Sequence, residues 1–327
     1  MSLEVFATIL ASFALTRILI TVLPRIGWMD SVGVRSSHAS PTPRGGGMAF
    51  VLVGFGVAAW MSWRTEPLDS TMFWGVLMPS LAVAIVGAVD DARTLSPGLR
   101  LATHLGASIF GAWWLLRMPA VSPLLIPLAA IGVAWSINLF NFMDGADGFV
   151  ATQSMAALAL LAMLLGVSGT GTDGAISLVI AAAVAGFLPW NLPRARIFMG
   201  DAGSGWLGAV IGLSLLRSAT QAPWIALGVT TWLAPLWCDA TVCLLRRALR
   251  GDDVLRPHRI HAYQWLLRRF GGHGRMLLLW WVPLLTVYLP LALAVALGQH
   301  LIFGAVAAVL GCVQALLCGS GRSEVEA

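Results

Sequence analysis

Apolar runs of about one membrane-crossing length, separated by short polar connections, recur from one end of the chain to the other. A helix needs about 20 apolar residues to cross a bilayer, and roughly eleven runs approach that length. They consume most of the 327 residues, so no large soluble domain fits between them. We therefore predict an all-α, polytopic integral membrane protein with about eleven transmembrane helices in a single domain over residues 1–327. The predicted spans are 3–23, 45–63, 72–89, 99–116, 122–140, 149–167, 175–190, 204–217, 223–244, 277–297 and 301–318.

The composition excludes an ordinary water-soluble domain. Hydrophobic residues make up 58% of the chain and charged residues 11%, whereas soluble domains carry about 25% charged residues. Every basic residue is an arginine, and most arginines fall on the connections that follow odd-numbered spans. The positive-inside rule then predicts that the N-terminus faces outward and the C-terminus faces the cytoplasm. The same topology accounts for the net charge of +5, so we predict no nucleic-acid partner.

Most acidic residues lie at the same ends of the spans as the arginines. Placing an acid at the end of an apolar span costs free energy unless the acid pairs with another group or binds a ligand. The first cluster is the adjacent pair Asp90 and Asp91 at the end of the third span. Neighbouring carboxylates repel each other unless they share a proton or a cation. A hard divalent ion would relieve that repulsion, and a solvated helix end beside Arg93 is the alternative interpretation.

The second cluster ends the fifth span, where Asn138, Asn141, Asp144 and Asp147 are spaced three residues apart. If the segment is helical, all four side chains share one face. Glycines in this stretch, including Gly148, allow a ligand to approach the backbone closely. A helix cap followed by a turn is the alternative, but a cap does not need four polar groups in register. We therefore predict a binding site here.

The third cluster is a glycine-rich stretch between the seventh and eighth spans. Asn191, Arg194 and Arg196 precede Asp201 within it. Backbone N–H groups at the start of a helix bind phosphate, Asp201 can hold a metal ion, and arginines bind a diphosphate. The alternative is a tight turn with Ser204 as a helix cap.

Two further polar segments complete the set. Arg35, His38 and Arg44 lie in a proline- and glycine-rich connection, which by default is a topology signal or a lipid-headgroup contact. The longest polar stretch, Arg246–Arg275, includes the residues Arg256-Pro-His258-Arg259-Ile-His261 and an amphipathic helix around Trp265 that is typical of a membrane interface. Asp239 in the ninth span is a functional candidate, because intramembrane acids usually are.

The four cysteines lie inside apolar spans, and no metal-ligand pattern surrounds them in the sequence. We predict that they are small packing residues and form no disulfide. They are Cys238, Cys243, Cys312 and Cys318.

In this order and on alternate connections, the polar clusters resemble the polyprenyl-phosphate N-acetylhexosamine-1-phosphate transferase family over about residues 30–270. The matching stretches are Arg35-Ser-Ser-His38 with Pro-Thr-Pro-Arg-Gly-Gly-Gly, the Asp90-Asp91 pair, Asn-Phe-Met-Asp-Gly-Ala-Asp-Gly, Ile-Phe-Met-Gly-Asp201-Ala-Gly-Ser, Asn191 and Asp239. The resemblance implies transfer of a sugar-1-phosphate from a UDP-sugar to undecaprenyl phosphate, with UMP as the leaving group and Mg²⁺, or alternatively Mn²⁺, as cofactor.

The resemblance also implies roles for individual residues. Asp201 and Asp91 would be metal ligands, and Asp90 is a proposed base, although a lipid phosphate is already largely ionised near neutral pH. The implied catalytic set is Asp90, Asp91, Asp144, Asp147 and Asp201. The implied substrate-binding set is Arg35, His38, Arg44, Asn138, Asn141, Asn191, Arg194, Arg196, Asp239, Arg259 and His261.

At one motif the sequence departs from the family, and this departure favours one branch of it. The family's His-x-His-His run aligns with His261-Ala-Tyr263-Gln264, so only the first histidine remains. This argues against the peptidoglycan phospho-MurNAc-pentapeptide transferase and favours the branch that initiates O-antigen in lipopolysaccharide synthesis, with GlcNAc or a 6-deoxy sugar such as FucNAc or QuiNAc as the transferred sugar. The expected location is the bacterial cytoplasmic (inner) membrane, and a homodimer is left open.

A secondary transporter of lipid-linked substrates is the rival class. Transporters tend to place charged residues near the bilayer midplane and to repeat one half of the chain in the other. Here the acids cluster at one face and the halves show no symmetry. The sequence therefore favours an enzyme.

Overall fold

Helices account for nearly all the secondary structure of the protein, whose computed structural model describes residues 2–30, 41–65, 70–117, 122–253 and 258–322. Two short strands, β1 (Met29–Asp30) and β2 (Thr42–Pro43), pair antiparallel. π-helical turns at Phe73–Leu77 and Leu284–Tyr288 lead into the third and thirteenth helices. The described helices are α1 (Ser2–Val22), α2 (Gly47–Thr65), α3 (Met78–Ala92), α4 (Pro97–Leu116), α5 (Leu125–Met143), α6 (Phe149–Val167), α7 (Gly171–Asn191), α8 (Gly200–Gln221), α9 (Pro223–Trp232), α10 (Ala234–Leu249), α11 (Ala262–Phe270), α12 (His273–Pro283), α13 (Leu289–Gly298) and α14 (Leu301–Leu317).

Seven helical segments among the described residues are long and apolar enough to cross a membrane, or eight if α9 and α10, which meet at 64°, form one bent span. The prediction of an all-α polytopic membrane protein is confirmed, whereas the count of eleven spans is not. The other three predicted spans coincide with α4, α8 and α14. Helix α14 has only 17 residues, and α8 is rich in glycine and serine because its surface packs against protein.

The chain divides into two compact units, Met1–Ala222 and Pro223–Ala327. In the first unit α8 is almost entirely buried and packs against α2, α3, α4 and α5. A Cβ atom on Gly47 would lie 2.4 Å from the Cα of Gly203, so α2 and α8 touch backbone to backbone. This close packing brings the start of α8 beside the end of α3. In the second unit α9 packs against α13, and α10 packs against α14.

Candidate active site

The start of α8 is held by a carboxylate from α3. The backbone N–H groups of Asp201 and Ala202 donate to Oδ1 and Oδ2 of Asp91, at 2.9 and 3.1 Å. The first N–H groups of a helix have no partner within the helix, and a negative charge there is favourable. The Asp91 side chain is 0% exposed. Asp91 therefore caps α8 and fixes the position of Asp201.

Gly200 makes this cap geometrically feasible. Its φ of +77° lies in the region that glycine adopts at little cost. A Cβ atom at this position would stand 2.4 Å from Oδ2 of Asp91. A side chain at position 200 would therefore push the Asp91 carboxylate away from the helix.

Two arginines link Asp201 to the acids of α3. Nη2 of Arg44 lies 2.7 Å from Oδ1 of Asp201, and Nη1 of Arg100 lies 3.1 Å from Oδ2. Arg44 also contacts Asp91 at 2.8 Å, and Arg100 contacts Asp90 at 3.0 Å. The Arg44 and Arg100 side chains are 37% and 35% exposed, so this Asp–Arg cluster can be reached by a ligand. Burial disfavours the charge on Arg44, but Asp201 and Asp91 outweigh it and raise the pKa of this guanidinium above its ordinary value.

Backbone hydrogen bonds bring Arg44 to the cluster. The N–H of Phe198 donates to the carbonyl of Pro43 at 2.8 Å. In return the N–H groups of Gly46 and Gly47 donate to the carbonyls of Phe198 and Met199, both at 2.8 Å. The connection before α2 is thus paired with the connection before α8.

The polar row at the end of α5 is shorter than predicted. Helix α5 ends at Met143, with Asp144 as its C-cap, and Gly148 begins the next helix with φ of +69°. The prediction that Asp147 continues the helical face is therefore wrong, because the chain turns through the glycine-rich segment after Asp144. Asp147 instead accepts a hydrogen bond at 3.0 Å from the N–H of Ala195.

Asn138 and Asn141 do lie on α5, and they face different partners. Nδ2 of Asn141 donates to Oγ of Ser204 in the first turns of α8, at 3.3 Å. Oδ1 of Asn138 lies 3.3 Å from Nδ1 of His104 on α4. Both residues therefore link α5 to the helices that carry the Asp–Arg cluster.

Asn191 joins the turn after α5 to the loop before α8. Its Oδ1 accepts from the N–H of Gly148 at 2.9 Å, and its Nδ2 donates to the carbonyl of Ile197 at 3.0 Å. The residue is buried. These contacts give Asn191 a structural role, and its nucleotide-binding role stays a prediction.

The remaining predicted arginines of the first unit are less enclosed. Arg194 and Arg196 are exposed, and the Arg196 guanidinium lies over the Trp190 ring at 5.7 Å from its centroid. Arg35 and His38 lie outside the described residues.

In the second unit, Asp239 caps α11. Oδ1 of Asp239 accepts from the N–H of Ala262 at 2.8 Å and from Oγ of Ser320 at 2.6 Å. Nδ1 of His261 lies 3.7 Å from the same oxygen. Burial alone would lower the pKa of His261, but the neighbouring Asp239 carboxylate and Cys243 thiol raise it to about 9. Arg259 is half-buried. Its described contacts do not assign it a role.

Sequence reasoning missed Arg100 and His104. The predicted site contains neither residue, and Arg100 counts in the sequence only toward the positive-inside rule. The available signal was their spacing of four residues on the otherwise apolar α4, which places them on one face. Ser96 and Pro97 start that helix, and the resulting turn returns Arg100 to Asp90.

Asp144 gives the site a testable pH dependence. Burial and the charge of Asp201 raise the pKa of Asp144 to about 8, whereas a carboxyl group in the unfolded chain titrates near pH 4. The folded protein then binds a proton that the unfolded chain releases, so stability falls as pH rises from about 4 to about 8. We expect Asp144→Asn to stabilise the protein more at about pH 8 than at about pH 5.

Melting temperatures in detergent with a chelator present measure this effect. Asp252→Asn is the control, because Asp252 is an exposed acid paired with Arg250. A stabilisation by Asp144→Asn that is the same at both pH values would contradict the assignment.

Comparisons with known proteins find relatives over most of the chain. A family model described as Glycosyl transferase family 4 matches residues 73–219. The chain is 29% identical to a decaprenyl-phosphate N-acetylglucosaminephosphotransferase of Mycolicibacterium smegmatis, over 94% of this chain and 88% of that protein. It is 30% identical to a probable undecaprenyl-phosphate N-acetylglucosaminyl 1-phosphate transferase of Bacillus subtilis, over 82% and 77%. A phospho-N-acetylmuramoyl-pentapeptide-transferase of Gluconobacter oxydans is 32% identical over 52% and 57%.

The sequence is thus similar, over most of its length, to phosphotransferases named for polyprenyl phosphates. The structure adds a polytopic membrane protein with paired acids and arginines at its helix ends. The chain belongs to the polyprenyl-phosphate N-acetylhexosamine-1-phosphate transferases of glycosyl transferase family 4. It is therefore an enzyme that transfers sugar-1-phosphate groups, and the predicted family is confirmed.

Proposed function

We propose that the protein transfers N-acetylhexosamine-1-phosphate from a UDP-sugar to undecaprenyl phosphate and releases UMP. An oxygen of the lipid phosphate forms a bond to the sugar-linked phosphorus, and the bond from that phosphorus to the bridging oxygen breaks, so UMP leaves with the bridging oxygen. The observation that carries the proposal is the Asp–Arg cluster around Asp201, with two partly exposed guanidinium groups. Relatives named for polyprenyl phosphate and N-acetylglucosamine support the acceptor and donor classes.

The two arginines suit a diphosphate. Guanidinium groups bind phosphate oxygens in paired, charge-assisted hydrogen bonds, and fixed charges at a phosphoryl group stabilise the charge that develops in transfer. Arg44 and Arg100 each keep part of their surface exposed while contacting Asp201. They can therefore contact a substrate while remaining oriented by the carboxylates.

The carboxylates also suit a Mg²⁺ ion, or Mn²⁺ in its place. Such ions prefer carboxylate oxygens, and Oδ2 of Asp201 and Oδ2 of Asp90 both lie within 3.1 Å of the same Nη1 atom of Arg100. We propose Asp201 as a ligand, as the sequence predicted. Both oxygens of the second predicted ligand, Asp91, accept backbone hydrogen bonds from α8. Oδ2 of Asp90 is held by the Arg100 side chain, which an ion can displace, so we propose Asp90 in its place. A bound divalent ion would neutralise charge on the diphosphate.

We place the reaction as the first membrane step of O-antigen or a related envelope polysaccharide, on the cytoplasmic face of the inner membrane. The single histidine at His261-Ala-Tyr263-Gln264 supports this branch over peptidoglycan synthesis. The sugar we propose is GlcNAc or a 6-deoxy-N-acetylhexosamine. The matches to pentapeptide transferases, which cover about half of the chain, make the peptidoglycan reaction the second candidate.

UMP release by the purified full-length protein tests the proposal. The assay contains undecaprenyl phosphate, Mg²⁺ and one donor at a time: UDP-GlcNAc, a UDP-6-deoxy-N-acetylhexosamine or UDP-MurNAc-pentapeptide. We expect release only when both the lipid and the metal are present, and the preferred donor identifies the sugar. Release from the pentapeptide donor alone would assign the protein to peptidoglycan synthesis, and no release from folded protein with any donor would overturn the proposal.

A further inference from the structure

Three side chains of types that bind transition metals converge in the second unit. They are Cys243 on α10, His258, and His261 just before α11, and one ligand atom from each lies within 4.8 Å of the others. The Nε2 atoms of His258 and His261 are 3.1 Å apart. Nε2 of His258 is 3.4 Å from Sγ of Cys243. The sequence shows no metal-ligand pattern around Cys243, because His258 is 15 residues away along the chain and only the fold brings it to the thiol.

These distances are close to those around a tetrahedral zinc ion. Zn–N bonds of about 2.0 Å and Zn–S bonds of about 2.3 Å separate two nitrogen ligands by about 3.3 Å, and a nitrogen from a sulfur by about 3.5 Å. The two observed distances, 3.1 and 3.4 Å, are shorter by about 0.2 Å and about 0.1 Å. The ligand atoms of the third pair, Cys243 and His261, lie within 4.8 Å of each other.

The surroundings favour a positive charge at this place. The side chains of His261 and Asp239 are each 1% exposed, and the Asp239 carboxylate lies 3.7 Å from Nδ1 of His261. A carboxylate behind a metal-bound histidine is the common arrangement in zinc sites, where it orients the ring. Cys243 is fully buried, whereas His258 is half-buried.

The positive guanidinium of Arg247 lies beside His258 and disfavours a bound cation, so zinc binding requires this side chain to move. Nη1 of Arg247 contacts Nδ1 of His258, and Nη2 donates to the carbonyl of Asp253. Because a guanidinium can only donate, Nδ1 of His258 accepts, and Nε2 of His258 carries the proton. An ion at Nε2 requires this proton on Nδ1, so Nη1 must leave while the contact with Asp253 can remain.

We propose that Cys243 Sγ, His258 Nε2 and His261 Nε2 bind one Zn²⁺ ion, with water as the fourth ligand. Thiolate and imidazole ligands select zinc over magnesium. Binding forms one Zn–S bond and two Zn–N bonds, releases the thiol proton of Cys243 and the Nε2 proton of the protonated His261, and moves the proton of His258 from Nε2 to Nδ1. The ion joins α10 to the segment that precedes α11. The residues varied in the test, Cys243 and His258, are not among those assigned to the transfer, so either proposal can fail alone.

Metal analysis of the full-length protein tests this inference. The detergent-purified protein is stripped with a chelator, dialysed against Zn²⁺ and measured by mass spectrometry. We expect about one zinc ion per wild-type chain, and affinity lowered more than about tenfold in Cys243→Ser and in His258→Gln. Cys312→Ser is the matched control, since Cys312 lies on α14 outside the cluster, and it should bind zinc as the wild type does.

Cobalt provides a second, spectroscopic measurement. Co²⁺ in place of Zn²⁺ should give a thiolate-to-metal charge-transfer band that Cys243→Ser removes and Cys312→Ser retains. His258 lies on a partly exposed segment, so His258→Gln keeps the test valid if Cys243→Ser does not fold. Equal zinc binding by the wild type and both variants, or no binding by the wild type, would overturn the proposal.

Discussion

Asp201→Asn should lower UMP release by at least about 100-fold, the loss typical of removing a charged group at a phosphoryl-transfer centre. Asp201 contacts both Arg44 and Arg100, so the substitution removes the charge that holds the two guanidinium groups together and removes a proposed metal ligand. The amide has nearly the shape of the carboxylate, and α8 keeps its cap from Asp91. The protein should therefore remain folded.

Initial rates at saturating donor and lipid measure the loss, and circular dichroism with size-exclusion chromatography checks folding. Asp252→Asn is a matched control that removes an exposed carboxylate outside the Asp–Arg cluster. Folded Asp201→Asn protein with a wild-type rate would refute the placement of the active site at the start of α8.

Gly200→Ala should destabilise the start of α8 and lower the rate of UMP release. The φ of +77° costs an alanine about 1 kcal/mol or more, and its Cβ would stand 2.4 Å from Oδ2 of Asp91. The carboxylate must then leave the backbone of α8, and loss of a helix cap costs about 1 kcal/mol in addition. We expect a lower melting temperature together with a loss of turnover, because Asp201 moves with the first turn of α8.

The control for this substitution is Gly132→Ala in the middle of α5. A Cβ atom there meets nothing within 4 Å, and the residue is exposed on the helix. Alanine at that position should leave both stability and turnover close to the wild type. Unchanged activity in Gly200→Ala would show that the Asp91 cap does not position Asp201.

Helix boundaries were predictable where local sequence decides them. The sixth span is predicted over 149–167 and α6 occupies Phe149–Val167, because a glycine turn precedes it and most of its residues are apolar. The eighth span was predicted to begin at 204, but α8 begins at Gly200. Its cap comes from Asp91, 110 residues earlier in the chain, and no local pattern reveals such a partner.

The candidate site was predictable in its acids and less so in its contacts. Sequence reasoning selected Asp90, Asp91 and Asp201, and the structure brings these three together. Its metal-binding role for Asp91 stays a prediction, and it did not reveal that both oxygens of this carboxylate accept hydrogen bonds from the start of α8. It omitted Arg100, because a basic residue near a membrane surface is by default a topology signal. Residue type and position therefore predicted which acids belong to the site. Which residues contact each other could be learned only from the tertiary structure.

The pairing of distant segments around Asp201 also imposes an order on biogenesis. Asp90 and Arg100 lie ten residues apart and can pair as soon as α3 and α4 have left the ribosome. Asp91 receives its backbone partners only after α8 has been synthesised and inserted. Until then a carboxylate destined for a buried position must stay at the membrane surface, where water can solvate it. Nascent chains that end before α8 should therefore expose this acid to quality-control proteases, and activity should arise in one step when the eighth helix docks.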